Sequence, residues 1–209
     1  MTDEPFQPNV DELLAHNAQY VEAFADGDLS LQPARHLAIV ACMDSRMDIF
    51  QMLGLAQGDA HVIRNAGGVV TDDVIRSLVL SQRLLGTREI ILVHHTNCGL
   101  QTITEDAFKA ELEAEVGIKP WWALECFTDP YADVAQSMAR LATSPFIPFK
   151  NNVSGFVYDV TDWIPQHPGG PERIIPLCGT DATTAFGTQH GDASLPNQRL
   201  SQFLLGPLA

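Results

Sequence analysis

Positively charged residues are scarce in this chain of 209 residues. Lysine and arginine number 12 against 26 aspartate and glutamate residues, so the formal net charge is -14. An acidic chain repels polyanions, which argues against nucleic acid or an anionic membrane surface as a partner. We expect a small-molecule substrate, and any anion that binds would need positive charge supplied locally.

Long apolar runs are also absent. No stretch approaches the roughly 20 consecutive apolar residues of a membrane-spanning helix, and the first residues, MTDEPFQPNVDE, lack the basic and apolar regions of a secretory signal. Internal repeats and low-complexity segments are missing as well. With 45% hydrophobic residues, the chain is long enough for one packed domain and an appendage, and we expect a cytoplasmic protein.

Cysteines are few, and the four are Cys42, Cys98, Cys126 and Cys178. A disulfide framework is not expected in the cytoplasm. Each thiol is therefore either a small buried apolar group or a metal ligand.

Two of these cysteines stand at the ends of the most apolar segments. Residues 36–42 (HLAIVAC) and 89–95 (EIILVHH) are β-branched runs that predict buried parallel strands. Binding sites of such sheets lie at the carboxyl ends of the strands, so Cys42 can meet His95 and Cys98 at one metal. Two thiolates and an imidazole form a zinc ligand set that leaves a fourth position open for chemistry.

Each of these residues also has a purely structural explanation. A single strand cysteine is most often a buried apolar group, and a histidine three residues before a cysteine is most often a core residue. Asp44 and Arg46 point to the same side of an extended chain and can form an ordinary ion pair. His94 faces the opposite side of the strand from His95, so we do not expect it to be a ligand. The coincidence of polar groups at two strand ends favours the metal site.

The rest of the pattern alternates strands with helices. Helices are predicted over residues 10–24, 47–55, 71–85, 104–116 and 131–142, a further strand over 61–64, and a tight turn over 65–68. This order predicts an α/β fold, with a mainly parallel central sheet flanked by helices.

Four motifs resemble those of the β-class carbonic anhydrases, in the same order and spacing. They are CMDSR (42–46), RNAGG (64–68), DDVIRSL (72–78) and HHTNCG (94–99). The resemblance covers about residues 10–160 and looks most like the small actinobacterial members of the class. It implies a zinc enzyme that interconverts carbon dioxide and bicarbonate, usually a homodimer or higher homo-oligomer whose N-terminal helix reaches across the partner.

The same residues suggest how such a site would work. Asp44 is placed to accept a hydrogen bond from zinc-bound water or hydroxide, and Arg46 can hold the carboxylate off the metal in a bidentate pair. If that pair breaks, Asp44 can become the fourth ligand, which would close the site. This resemblance-based expectation predicts activity that rises with pH.

Backbone N–H groups are candidates for binding the substrate and its anionic product. Those of Gly67, Gly68 and Gly99 lie next to the metal segments and are expected to serve this role. A turn that requires positive φ explains the glycines of the RNAGG motif equally well.

The motif residues do not separate carbon dioxide hydration from hydrolysis of carbonyl sulfide or carbon disulfide, which relatives of this scaffold look able to attack. The residues that line the substrate channel would decide. We expect the loop over residues 119–130, with Trp121 and Trp122, to contain the channel residues that distinguish the two activities. Arg64 is a candidate charge toward the substrate or a partner subunit.

The last fifty residues resemble another family. VYDVTDWIPQHPGG and CGTDATTAFGTQHG look like the second half of a cytochrome b5 domain. The resemblance implies haem b held by His167 and His190, and hence a haem-binding electron-transfer module as a further hypothesis. The first half of such a domain is missing, and residues 156–160 serve both families. We therefore expect a zinc domain over residues 1–160 and a partial cytochrome b5-like tail over residues 157–209, with simple packing on the zinc domain as the alternative role of the tail.

Overall fold

The computed structural model describes residues 9–160 of the chain. The helices in this range are α1 (Val10–Ala23), α2 (Ile49–Leu53), α3 (Asp72–Arg83), α4 (Glu105–Val116) and α5 (Pro130–Thr143). The strands are β1 (Leu37–Cys42), β2 (Ala60–Asn65), β3 (Glu89–His95) and β4 (Val153–Tyr158), and short 3-10 helices occupy Ala66–Gly68 and Gly99–Gln101. None of the described helices is both long and apolar enough to cross a membrane.

The four strands form one sheet in the order β2-β1-β3-β4, and every pair is parallel. The predicted parallel α/β sheet is therefore confirmed. Cys42 pairs with Asn65 across β1 and β2, and His95 pairs with Tyr158 across β3 and β4. This register brings the carboxyl ends of all four strands to the same edge, where polar side chains can meet.

Alternating side chains of the strands fill two separate cores, one on each face of the sheet. On one face, Val40 and Leu92 pack with residues of α3 and α5 such as Leu78 and Leu141. On the other face are the apolar residues Leu37, Ile39, Met47, Ile49, Val69, Leu100 and Phe127, together with both candidate ligand cysteines. The sheet therefore places Cys42 and Cys98 within an apolar layer.

The ends of several elements differ from the predicted ones. The short helix α2 begins at Ile49 rather than residue 47, because the Asp48 side chain accepts a hydrogen bond from Gln51 N–H and caps it. Residues 156–160, which resemble both families, largely belong to β4, which begins earlier, at Val153, where Ile90 of β3 supplies its first partner. The helix predicted from residue 71 begins at Asp72, because the Thr71 side chain caps α3 by accepting a hydrogen bond from Val74 N–H.

Candidate metal centre

The ends of β1 and β3 bring three candidate ligands together. Cys42 is the last residue of β1, His95 is the last residue of β3, and Cys98 caps the 3-10 helix that follows. One ligand atom from each of them lies within 4.8 Å of the other two, and all three residues are buried. The two residues between His95 and Cys98 include Asn97, whose φ of +54° turns the chain back toward the sheet.

The His95 ring is oriented for a metal. Its Nδ1 lies 2.8 Å from the carbonyl oxygen of Thr96, which therefore accepts the ring N–H. Nε2 is buried and has no hydrogen-bond partner among the described residues. A buried lone pair without a partner is costly, so a cation at this position would satisfy it.

The two cysteines form a coupled pair. A hydrogen bond from Cys98 to the Cys42 sulfur lowers the pKa of Cys42 and raises that of Cys98, and the backbone N–H groups of Asp44 and Gly67 lower the Cys42 pKa further. One thiolate is thus favoured even in the metal-free protein. A divalent cation would stabilise both thiolates, and the residues fit such an ion.

Asp44 and Arg46 lie beside this cluster. Arg46 Nε donates to Asp44 Oδ1 at 2.9 Å and Arg46 Nη2 donates to Asp44 Oδ2 at 2.7 Å. The guanidinium holds the pKa of the Asp44 carboxyl well below its usual range. Asp44 Oδ2 lies 3.6 Å from His95 Nε2, so the carboxylate reaches the edge of the candidate metal position while it remains paired with Arg46.

Arg64 contacts the backbone next to the candidate site, and its role toward the substrate or a partner subunit stays a prediction. Its Nε and Nη2 donate to the carbonyl oxygen of Cys42 at 2.9 and 2.8 Å, and Nη2 also donates to the Asp44 carbonyl at 2.6 Å. The guanidinium therefore fixes the backbone of the segment that carries Cys42 and Asp44. These bonds can form because β2 runs directly beside β1, with Arg64 paired to Ala41.

The glycines of the predicted substrate site have structural roles. A Cβ at Gly68, whose φ is +72°, would lie 2.8 Å from Cys42 N and 2.9 Å from the Val93 carbonyl oxygen. Only glycine lets the chain pass so close to β1 and β3. The backbone of Gly67 contributes to the lowered pKa of Cys42, whereas no atom lies within 4 Å of a Cβ added at Gly99. Substrate binding by these three N–H groups stays a prediction.

His94 points away from the candidate site, as the alternation of the strand predicted. Its Nε2 lies 2.7 Å from Asp133 Oδ2 of α5, and the ring is fully buried. The pair connects β3 to α5 on the opposite face of the sheet.

The surroundings of the cysteines are apolar. Val69, Leu100 and Phe127 pack in the same cluster as Cys42 and Cys98. Phe127 belongs to the loop over residues 119–130, but Trp121 is 88% exposed and Trp122 is 45% exposed. Phe127 and the partly buried Cys126, rather than the two tryptophans, are thus the residues of this loop that pack in the apolar layer.

The predicted haem ligands His167 and His190 lie outside the described residues, as does Cys178. The sequence interpretation missed Thr96, whose carbonyl orients His95. In the sequence, only its position between His95 and Cys98 pointed to a role for Thr96.

Known proteins resemble this chain in two parts. Residues 37–126 match the family model described as carbonic anhydrase, and residues 152–209 match that of the cytochrome b5-like heme/steroid binding domain. The second match includes β4, which belongs to the sheet of the first part.

Individual relatives align with more than half of the chain. The chain is 55% identical over 150 residues to beta-carbonic anhydrase 1 of Mycobacterium tuberculosis, covering 72% of this chain and 91% of the relative. It is 36% identical over 154 residues to a carbon disulfide hydrolase of an Acidianus species, covering 60% of this chain and 74% of the relative. Carbonic anhydrase of Streptococcus mutans has a similar structure, with a TM-score of 0.69 and 44% identity over 75% of this chain and 95% of that one.

Proposed function

The chain belongs to the β-carbonic anhydrase family, and we propose that it hydrates carbon dioxide reversibly at a zinc ion held by Cys42, His95 and Cys98. The observation that carries this proposal is the buried Nε2 of His95, which lacks a partner among the described residues and lies beside two cysteine sulfurs. Three ligands of this kind leave one position for water or substrate. When bound, zinc lowers the pKa of a coordinated water and supplies Lewis acidity.

Asp44 and Arg46 supply the polar part of the mechanism. Asp44 Oδ1 accepts both the backbone N–H and the Nε–H of Arg46, whereas Oδ2 accepts only Nη2–H. Oδ2 is also the oxygen on the His95 side, so it is placed to accept a hydrogen bond from the attacking water and to orient it. Arg46 holds the carboxylate in this orientation and keeps it from occupying the fourth position itself.

The apolar layer around the site supports a small, uncharged substrate. Val69, Leu100 and Phe127 can surround a linear molecule such as carbon dioxide without offering it a competing polar partner. The N–H groups of Gly67, Gly68 and Gly99 are the proposed donors to the developing anion, with Gly99 having the most open surroundings.

Carbon disulfide or carbonyl sulfide hydrolysis is the alternative on the same site, favoured by the 36% identity to a carbon disulfide hydrolase. The higher identity to beta-carbonic anhydrase 1 supports carbon dioxide instead. A stopped-flow assay of carbon dioxide hydration at alkaline pH, with both sulfur substrates assayed on the same zinc-loaded sample, separates the two. Fast hydration is expected; slow hydration with clear sulfide release would assign the protein to the hydrolases.

We further propose that the protein is a homodimer or a higher homo-oligomer. Helix α1 has no buried residue, and its apolar side chains Val10, Leu13, Leu14, Tyr20 and Val21 are more than half exposed in the single subunit. A face of this size needs a cover, and a second copy would supply it. Light scattering should give at least twice the mass of one chain, and a monomer would contradict this assembly.

Haem binding by the C-terminal part is the second candidate function, favoured by the match of residues 152–209 to the cytochrome b5-like family. His167 and His190 are its proposed ligands. The proposed boundary places the zinc domain in residues 1–160 and the tail in residues 157–209, so β4 would serve the zinc domain. A Soret band that disappears in His167→Ala would support haem binding, and a colourless protein after haem addition would contradict it.

A further inference from the structure

Thr96 is the residue on which the orientation of His95 depends. Its carbonyl oxygen lies 2.8 Å from His95 Nδ1. A neutral imidazole carries one proton, so the ring donates from Nδ1 and keeps the Nε2 lone pair for the cysteine side. The position of the Thr96 peptide therefore sets both the tautomer and the rotation of the candidate ligand.

The segment at the end of β4 holds Thr96 with three hydrogen bonds. Thr96 Oγ1–H donates to Asp159 Oδ1 at 2.8 Å, and Val160 N–H donates to the same Oγ1 at 3.1 Å. Thr96 N–H donates to the Tyr158 carbonyl at 2.9 Å. A hydroxyl that donates to a carboxylate forms a charge-assisted bond, which is stronger than a neutral one.

The hydrogen bonds of the Thr96 hydroxyl hold the chain just beyond the end of the sheet. The ladder between β3 and β4 ends at the pair His95 and Tyr158. Beyond this pair the chain must leave the strand and return within two residues, so that Cys98 reaches His95. Asn97 makes that turn with positive φ, and its own carbonyl accepts a hydrogen bond from Arg46 Nη2 at 3.1 Å. Thr96 is the point at which the turn is attached to the sheet.

We propose that the Thr96 hydroxyl, with Asp159 as its acceptor, is a positioning group for the metal centre. It fixes the carbonyl that orients His95 and, through the turn that follows, the distance from His95 to Cys98. The inference rests on the zinc site proposed above and adds two residues that lie 63 positions apart in the chain. Loss of this hydrogen bond should weaken zinc binding itself, and not only catalysis by the zinc-loaded protein.

The test compares zinc affinity among full-length variants by competition with a chromophoric chelator. Thr96→Val keeps the shape of the side chain but loses both hydroxyl bonds, and should weaken zinc binding about tenfold, the usual effect of removing an outer-shell partner of a metal ligand. Thr96→Ser retains the hydroxyl and should bind zinc as wild type does. Thr143→Val is the matched control, because the Thr143 hydroxyl bonds only to carbonyl groups of α5.

Cobalt(II) substitution supplies a readout that general destabilisation would not change. In Thr96→Val, the ligand-field and thiolate charge-transfer bands should shift, while Thr143→Val should show the wild-type spectrum. If Thr96→Val does not fold, Asp159→Ala tests the same bond and should weaken zinc binding in the same direction.

The outcomes separate this inference from the proposed function. Wild-type zinc affinity and cobalt spectrum in Thr96→Val would overturn the inference, and so would equal losses in Thr96→Val and Thr96→Ser, because the hydroxyl would then not matter. A wild-type protein that binds no zinc would instead overturn the proposed function.

Discussion

Arg46 and Asp44 form a bidentate ion pair at the edge of the candidate metal centre, with Nε on Oδ1 at 2.9 Å and Nη2 on Oδ2 at 2.7 Å. The same Nη2 donates to the Asn97 carbonyl at 3.1 Å. Arg46 therefore connects the segment after β1 to the turn after β3. One guanidinium both orients the carboxylate and joins the two segments that carry the candidate ligands.

Replacement of Asp44 tests the polar part of the mechanism. Asp44→Asn keeps the size of the side chain and should retain zinc, but its amide cannot accept hydrogen bonds on both terminal atoms. Carbon dioxide hydration should fall by at least about tenfold. Stopped-flow rates and zinc content should be measured together, with Asp59→Asn as control, because Asp59 pairs with Arg35 away from the site. Full activity in Asp44→Asn would remove Asp44 from the mechanism.

The ligand assignment is tested by removal of single ligands. Cys42→Ser and His95→Ala should each lose stoichiometric zinc, because two remaining ligands do not hold the ion tightly. Cys126→Ser should keep it, since Cys126 is not in the cluster of candidate ligands. Zinc analysis after dialysis against a weak chelator provides the measurement. One zinc per chain in either ligand variant would show that the ligand set is wrong.

Gly68 lies so close to the backbone of β1 and β3 that a larger residue there should destabilise the protein strongly. Gly68→Ala should lower the free energy of unfolding by about 3 kcal/mol or more, since it adds steric overlap to the cost of positive φ. Gly117→Ala is the matched control: its φ is +77°, but no atom lies within 4 Å of the added Cβ. Gly117→Ala should lower the free energy of unfolding by about 1 kcal/mol. Urea unfolding measures both, and equal losses would refute the importance of the close contact.

The boundary of the zinc domain is tested by truncation. A chain that ends after Val160 keeps β4 and the bonds to Thr96, and should remain soluble, bind zinc and hydrate carbon dioxide. The mycobacterial relative supports this expectation, because the match covers 91% of its length but 72% of this chain. Truncation after Asn152 removes β4 and should give insoluble protein. Insolubility of the longer fragment would show that the tail belongs to the core.

Local patterns in the sequence predicted the parts of the fold that depend on neighbouring residues. The apolar runs before Cys42 and His95 identified two strands, and strand alternation assigned His95 and His94 to opposite faces. The sequence could not show that β4 pairs with β3, because strand order depends on contacts between distant segments. For the same reason the contacts of Asp159 and of Arg64 could not be predicted: their partners are 63 and 20 or more positions away.

Stepwise reconstitution of metal-free protein with zinc tests the central claim most directly. Carbon dioxide hydration should be absent without metal, rise in proportion to bound zinc, and reach its maximum at one zinc per chain, while His95→Ala stays inactive throughout. Activity in the metal-free protein, or no activity at one zinc per chain, would contradict the assignment of this site as a carbonic anhydrase centre.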